Sequence, residues 1–166
     1  KTGAPLLHVE YNVNSTTVVR DIRVAVSSDD AVESASGSVS LTNSNLDLVY
    51  TASSQTVGMR FTGVSIPKNA AILNAYIQFK ASGVYSDITL LTIGGENVDN
   101  ATTFTTVSKN ISLRSRTTAA VPWSPVPWTT SGAAGPDQRT PNIASIIQGI
   151  VNRSGWSSGN SLVLII

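Results

Sequence analysis

The sequence predicts an all-β, jelly-roll-like sandwich carrying one short amphipathic helix near its C-terminus. Three observations lead there. Short runs rich in Val, Ile, Thr and aromatic residues recur along the whole chain, roughly ten of them at close spacing. Several alternate apolar and polar residues with the period of two that a half-buried strand needs. Only one segment follows the helical period instead, and it comes late.

Residues 6–11 alternate, with Leu7, Val9 and Tyr11 on one face and Leu6, His8 and Glu10 on the other. The polar stretch 12–17 predicts a linker, and residues 18–26 a second strand. The chain therefore divides into residues 1–17, an N-terminal strand with its linker, and residues 18–166, the sandwich domain. An acidic loop is expected over residues 27–36. Val39 and Leu41 then mark one strand, and Leu46, Leu48 and Tyr50 another. Residues 56–61, 64–70 and 72–80 form the most strand-like region, with Pro67 and Asn69 supplying a turn.

Residues 88–93 predict a strand that Gly94-Gly95 ends in a turn, and residues 98–118 a mixture of short strands and loops. The prolines of residues 121–128 predict an edge strand or an extended loop. In the helix, Thr140 is expected as cap and Pro141 at the first position. Ile143, Ile146, Ile147, Ile150 and Val151 form the buried stripe, and Gly155 is the stop. Residues 161–166 are continuously apolar and read as a final strand.

At 166 residues with 41% hydrophobic content the chain can bury a core as one domain. Only 13% of residues are charged and the net charge is +1, which excludes an electrostatic case for nucleic acid or an anionic membrane. Ser and Thr supply 41 residues, so the surface is solubilised by hydroxyls, as suits a secreted or cell-surface protein. Without cysteine there is no disulfide, thiolate metal site or thiol nucleophile. No apolar run is long enough to span a bilayer, so no membrane insertion is expected. The chain opens on Lys1, so any signal peptide is expected to have been removed. Asn-x-Ser/Thr sequons at Asn14, Asn100, Asn110 and Asn152 permit glycosylation.

The search for chemistry yields no catalytic set and no cofactor. His8 is the single histidine and reads as a surface residue beside Glu10; a zinc site needs more ligands than one His. Asp29, Asp30 and Glu33 are weak calcium candidates, with a solvated turn the plainer reading. Trp123 and Trp128, in a proline-stiffened segment, are a candidate glycan platform. Their odd spacing puts the two rings on opposite faces of a regular strand. Trp156 is expected to pack over the helix.

The block Val57-Gly58-Met59-Arg60-Phe61, Val64-Ser65-Ile66-Pro67 and Ala75-Tyr76-Ile77-Gln78-Phe79 carries a resemblance. With it go Arg139-Thr140-Pro141, Ile146-Ile147-Gln148, Gly155-Trp156 and Leu162-Val163-Leu164-Ile165. Together they resemble jelly-roll repeat domains of secreted and cell-surface bacterial proteins. They are also similar, more distantly, to DNRLRE-type domains, some of which bind polysaccharides. In the family the Leu-Val-Leu-Ile-like strand is followed by further strands, and the last of them resembles Ala4-Pro5-Leu6-Leu7-His8-Val9-Glu10-Tyr11. Here that segment stands first.

The resemblance implies a sandwich whose closing strand is carried at the N-terminus. That strand is free to fold back, to enter a neighbouring copy, or to reflect excision from a tandem array. The leading expectation is a non-enzymatic extracellular subunit that forms a pilus-like filament or array with copies of itself by donor-strand complementation. Leu6, Leu7, Val9 and Tyr11 form the donor strand, and Leu162, Leu164 and Ile166 a possible acceptor edge. The alternative is a carbohydrate-binding module of a polysaccharide-active protein.

Overall fold

The computed structural model describes residues 3–46, 48 and 53–166. Nine strands and one helix fall within them: β1 (Leu6–Val13), β2 (Thr16–Arg23), β3 (Asp30–Ser34), β4 (Val39–Ser40), β5 (Gln55–Phe61), β6 (Ala71–Gln78), β7 (Leu91–Glu96), β8 (Arg116–Trp123), α1 (Ala144–Val151) and β9 (Leu162–Ile165). They form two antiparallel sheets packed as a sandwich. One has the order β2-β1-β6, the other β4-β3-β5-β9-β7-β8.

The alternation of residues 6–11 determines the small sheet. Leu7, Val9 and Tyr11 point inward against Ala75 and Ile77 of β6, and all are buried. A bulge between Glu10 and Tyr11 leaves Leu73 unpaired. It lets Ile72 as well as Ala75 face the core, while Leu73 stays 45% exposed. The stretch expected as a linker is no linker. Asn12 and Val13 extend β1, Thr16 and Thr17 begin β2, and only Asn14 and Ser15 lie between them. Both have positive φ, 48° and 65°, as the type I′ turn of a two-residue hairpin requires.

The outer edge of β6 is covered by residues 138–143. Phe79 and Thr140 amides donate to the Gln138 and Ile77 carbonyls, and the Ile143 amide to the Ala75 carbonyl. The Ile77 and Ala75 amides donate to the Thr140 Oγ1 and Asn142 Oδ1 atoms. Thr140 therefore staples the segment to β6 instead of capping the helix, and it is Asn142 Oδ1 that receives the Ala144 amide. The outer edge of β2 has no strand beside it among the described residues.

In the large sheet β9 is buried on both faces, which accounts for its continuous apolar run. Leu162, Leu164 and Ile166 join the main core with Val57, Met59, Phe61, Leu91 and Ile93, closed at one end by Ile146, Ile147 and Ile150 of α1. Val163 and Ile165 face a second cluster formed with Phe104, Ile111, Ala31 and Ala101. Residues 97–115 cover the back of the sheet in this way, with turns in place of the short strands expected there.

Gly94 and Gly95 lie inside β7 and end nothing. A Cβ on Gly95 would stand 2.8 Å from Ile146 Cγ2, so the glycine lets α1 sit directly on the sheet. β7 starts only at Leu91, leaving Ile88 and Leu90 exposed. Residues 121–123 of the proline-bearing segment end β8, an end strand of its sheet, while residues 124–127 lie outside any strand. Leu46 and Leu48 lie outside any strand, while Tyr50 lies outside the described residues.

The rigid approach of Phe104 to the back of β5 gives a stability test. A Cβ on Gly58 would fall 2.5 Å from Phe104 Cζ. Gly58→Ala is expected to cost about 1–3 kcal/mol through overpacking, seen as a lower urea midpoint with an unchanged slope.

Candidate functional site

The most informative site is the slot that β1 fills. β1 is the middle strand of its sheet. Leu6↔Arg23 through Val13↔Thr16 pair it with β2, and Leu6↔Gln78 through Asn12↔Ala71 pair it with β6. Its inward side chains Leu7, Val9 and Tyr11 are at most 2% exposed. The Tyr11 hydroxyl donates to the Ser65 carbonyl at 3.0 Å, giving its one polar atom a partner in the core. Leu6, placed with the donor residues, faces outward and is half-buried. Within one chain, then, the N-terminal strand closes its own sandwich.

The opposite face of β1 carries a polar cluster that sequence alone did not assemble. His8 Nδ1 lies 2.7 Å from Asp21 Oδ1 on β2, and His8 Nε2 lies 3.0 Å from Glu10 Oε1. The imidazole stacks on Tyr76 of β6 with centroids 4.6 Å apart, and the Arg139 guanidinium lies 4.7 Å from the Tyr76 ring centroid. Glu10 Oε1 also accepts from Asn74 Nδ2 at 3.4 Å. The hydrogen bond from His8, and after it the one from Asn74, hold the Glu10 carboxyl below its ordinary value. The signal was present in the cross-strand register: His8, Asp21 and Tyr76 are direct neighbours once β1 is central.

The other candidate residues fall elsewhere. Leu162 and Leu164 belong to β9, which is hydrogen-bonded to β5 on one side and β7 on the other. Ile166 exchanges backbone hydrogen bonds with Val57. The acceptor edge placed there is corrected: this segment is interior, and the strands that border β1 are β2 and β6.

The acidic trio is buried rather than solvated, with Asp29, Asp30 and Glu33 at most 7% exposed. Asp29 pairs with Arg60 at 2.8 Å, and Glu33 Oε2 accepts the Ile111 and Ser112 amides. Asp29 is thus committed to holding Arg60 of β5, and Glu33 to holding residues 111–112 against β3. No group of three or more metal-ligating side chains occurs among the described residues.

Trp123 is buried, stacked on Phe79 with centroids 5.8 Å apart, so it offers no face to a sugar. Trp128 is half-buried and donates its indole N–H to the Asp137 carbonyl. It borders an open cleft of about 790 Å³ that Tyr85, Val126 and Leu90 also line. Trp156 is buried and donates to the Ile66 carbonyl. Among the sequons, Asn14 sits exposed at the β1–β2 turn, whereas the Asn100, Asn110 and Asn152 side chains accept internal hydrogen bonds. No helix among the described residues is long and apolar enough to cross a membrane.

No family model, curated protein or solved structure matches the chain. The β1 slot is filled by the buried side chains of Leu7, Val9 and Tyr11. Leu7→Ala, which empties a fully buried position in that slot, is expected to cost about 2–5 kcal/mol, measured by equilibrium denaturation.

Proposed function

We propose that the chain is a non-enzymatic extracellular structural subunit that assembles with its own copies by passing β1 to a neighbour. One observation carries this reading. The strand that fills the centre of the small sheet is tied to the next element by only two residues, neither of them glycine, and both at positive φ. A left-handed backbone costs a non-glycine residue roughly 1–2 kcal/mol, less for Asn. Opening the turn into extended chain relieves that strain. A donated β1 makes the same contacts with the neighbour's β2 and β6 that it makes at home, so hinge strain and protein concentration set the balance. Successive head-to-tail donation does not close on itself and gives a filament or array. The hydroxyl-rich, weakly charged surface fits an extracellular setting.

The hinge provides the test, read by sedimentation and negative-stain microscopy. Ser15→Gly places a glycine directly after Asn14, giving the Asn-Gly pair that a type I′ turn favours, and is expected to shift the population toward monomer. Deleting Asn14 and Ser15 removes the turn and is expected to drive assembly. A deletion variant that stays a folded monomer at every concentration, beside a monomeric wild type, would overturn the proposal.

A second reading, glycan binding, is favoured by the cleft beside Trp128, where Tyr85 is 52% exposed. It narrows the platform to Trp128 and Tyr85, because Trp123 is buried. On this reading Trp128→Ala and Tyr85→Ala each abolish retardation in polysaccharide affinity gels. Retardation of the variants equal to that of wild type would remove it.

A further inference from the structure

We propose that Arg20 is a guard on the open edge of the small sheet, one that keeps a second copy of the chain from adding a strand beside β2. The inference goes beyond strand exchange, because it concerns the outer edge of β2 and not the slot that β1 fills. β2 runs for eight residues, Thr16–Arg23, with no proline among them. No strand lies beside its outer edge among the described residues. A long, regular strand with an unpaired edge is a template for pairing with another chain.

Register fixes which groups that edge presents. The two-residue turn at Asn14 and Ser15 closes on a hydrogen-bonded pair, Val13 with Thr16. Such pairs recur at every second residue, so Thr16, Val18, Arg20 and Ile22 turn their backbone groups toward β1. The Val24 amide continues the series by donating to the Pro5 carbonyl at 3.1 Å. The amides and carbonyls of Thr17, Val19, Asp21 and Arg23 therefore face the open edge. In the middle of that row Arg20 Nη1 donates to the Val19 carbonyl at 2.9 Å. One acceptor that an incoming strand needs is already taken.

The same side chain obstructs in a second way. Arg20 lies directly opposite Val9, whose side chain is buried, so it leaves the sheet on the core-facing side. It stands there between Val18 and Ile22, both packed against the core, yet is itself exposed. A strand added beside β2 would enclose the guanidinium between the sheets, and burying a charge without a partner is costly. The remaining sheet edges are blunted by other means. β6 is covered by residues 138–143, β4 is two residues long and β8 contains Pro122. Covering segments, short strands, proline and inward-pointing charges all protect an edge, and in β2 it is Arg20 that does so.

The test follows amide hydrogen exchange, residue by residue, in the full chain as its concentration is raised. In Arg20→Val the Val19 and Asp21 amides are expected to gain protection with concentration. Association is expected to be about tenfold or more tighter than in wild type, the worth of one hydrogen bond to a charged group. The same amides of wild type stay unprotected. Arg23→Val removes an equal charge from the opposite face of β2, the face shared with Leu6, and is expected to behave as wild type. Should Arg20→Val fail to fold, Arg20→Thr decides. Edge amides that stay unprotected at every concentration in the Arg20 variant, or an equal gain in wild type or Arg23→Val, overturn the guard. A donated β1 bonds only the even-numbered residues of β2, so strand exchange can fail or succeed without moving this readout.

Discussion

The small sheet depends on one insertion, that of β1 between β2 and β6. The strand supplies both neighbours with their backbone partners, and its inward residues Leu7, Val9 and Tyr11 fill the space against the main core. β2 has no other strand partner among the described residues. Removing β1 therefore orphans β2 and opens the core, exposing apolar surface together with unpaired edges. Whichever copy of the strand sits there, the slot has to be filled.

The backbone pairing of the large sheet does not involve that strand, although the two share one core. Its centre is β9, paired on both sides and buried on both faces. Two glycines set how closely other elements approach it: Gly95 under α1 and Gly58 under Phe104. Buried carboxylates tie residues 97–115 to its back through Arg60 and the Ile111 and Ser112 amides. On the proposed strand exchange, the large sheet keeps its own pairing whichever copy of β1 fills the slot.

Much of this was legible in the sequence. Strict alternation at Leu7, Val9 and Tyr11 announced both a strand and its buried face, and the isoleucine spacing announced α1. What failed did so for physical reasons. The polarity of residues 12–17 reads as a linker, but a type I′ turn needs only two residues at positive φ, and polarity does not report φ. Gly94-Gly95 reads as a turn because glycine is permissive, yet here the missing Cβ serves helix packing. Asp29 and Glu33 read as solvent-facing because burial of a carboxylate needs partners remote in sequence, Arg60 and the 111–112 amides. The same remoteness hid the His8 cluster, whose members meet only through cross-strand register. The apolar run at residues 161–166 gives no sign of whether it lies inside or at the edge of a sheet, and it proves to be inside.

Strand exchange, as proposed above, moves β1 between chains. The absence of native cysteine allows a direct measurement with two single-cysteine variants, Asn12→Cys and Ala71→Cys, at positions directly paired across β1 and β6. Directly opposed positions on an antiparallel pair are close enough for a disulfide. The two variants are mixed, brought to assembly concentration and oxidised. The account predicts an interchain disulfide between one chain's residue 12 and another's residue 71. No interchain disulfide between the mixed variants, beside a double variant Asn12→Cys/Ala71→Cys that forms the bond within one chain, would contradict strand exchange.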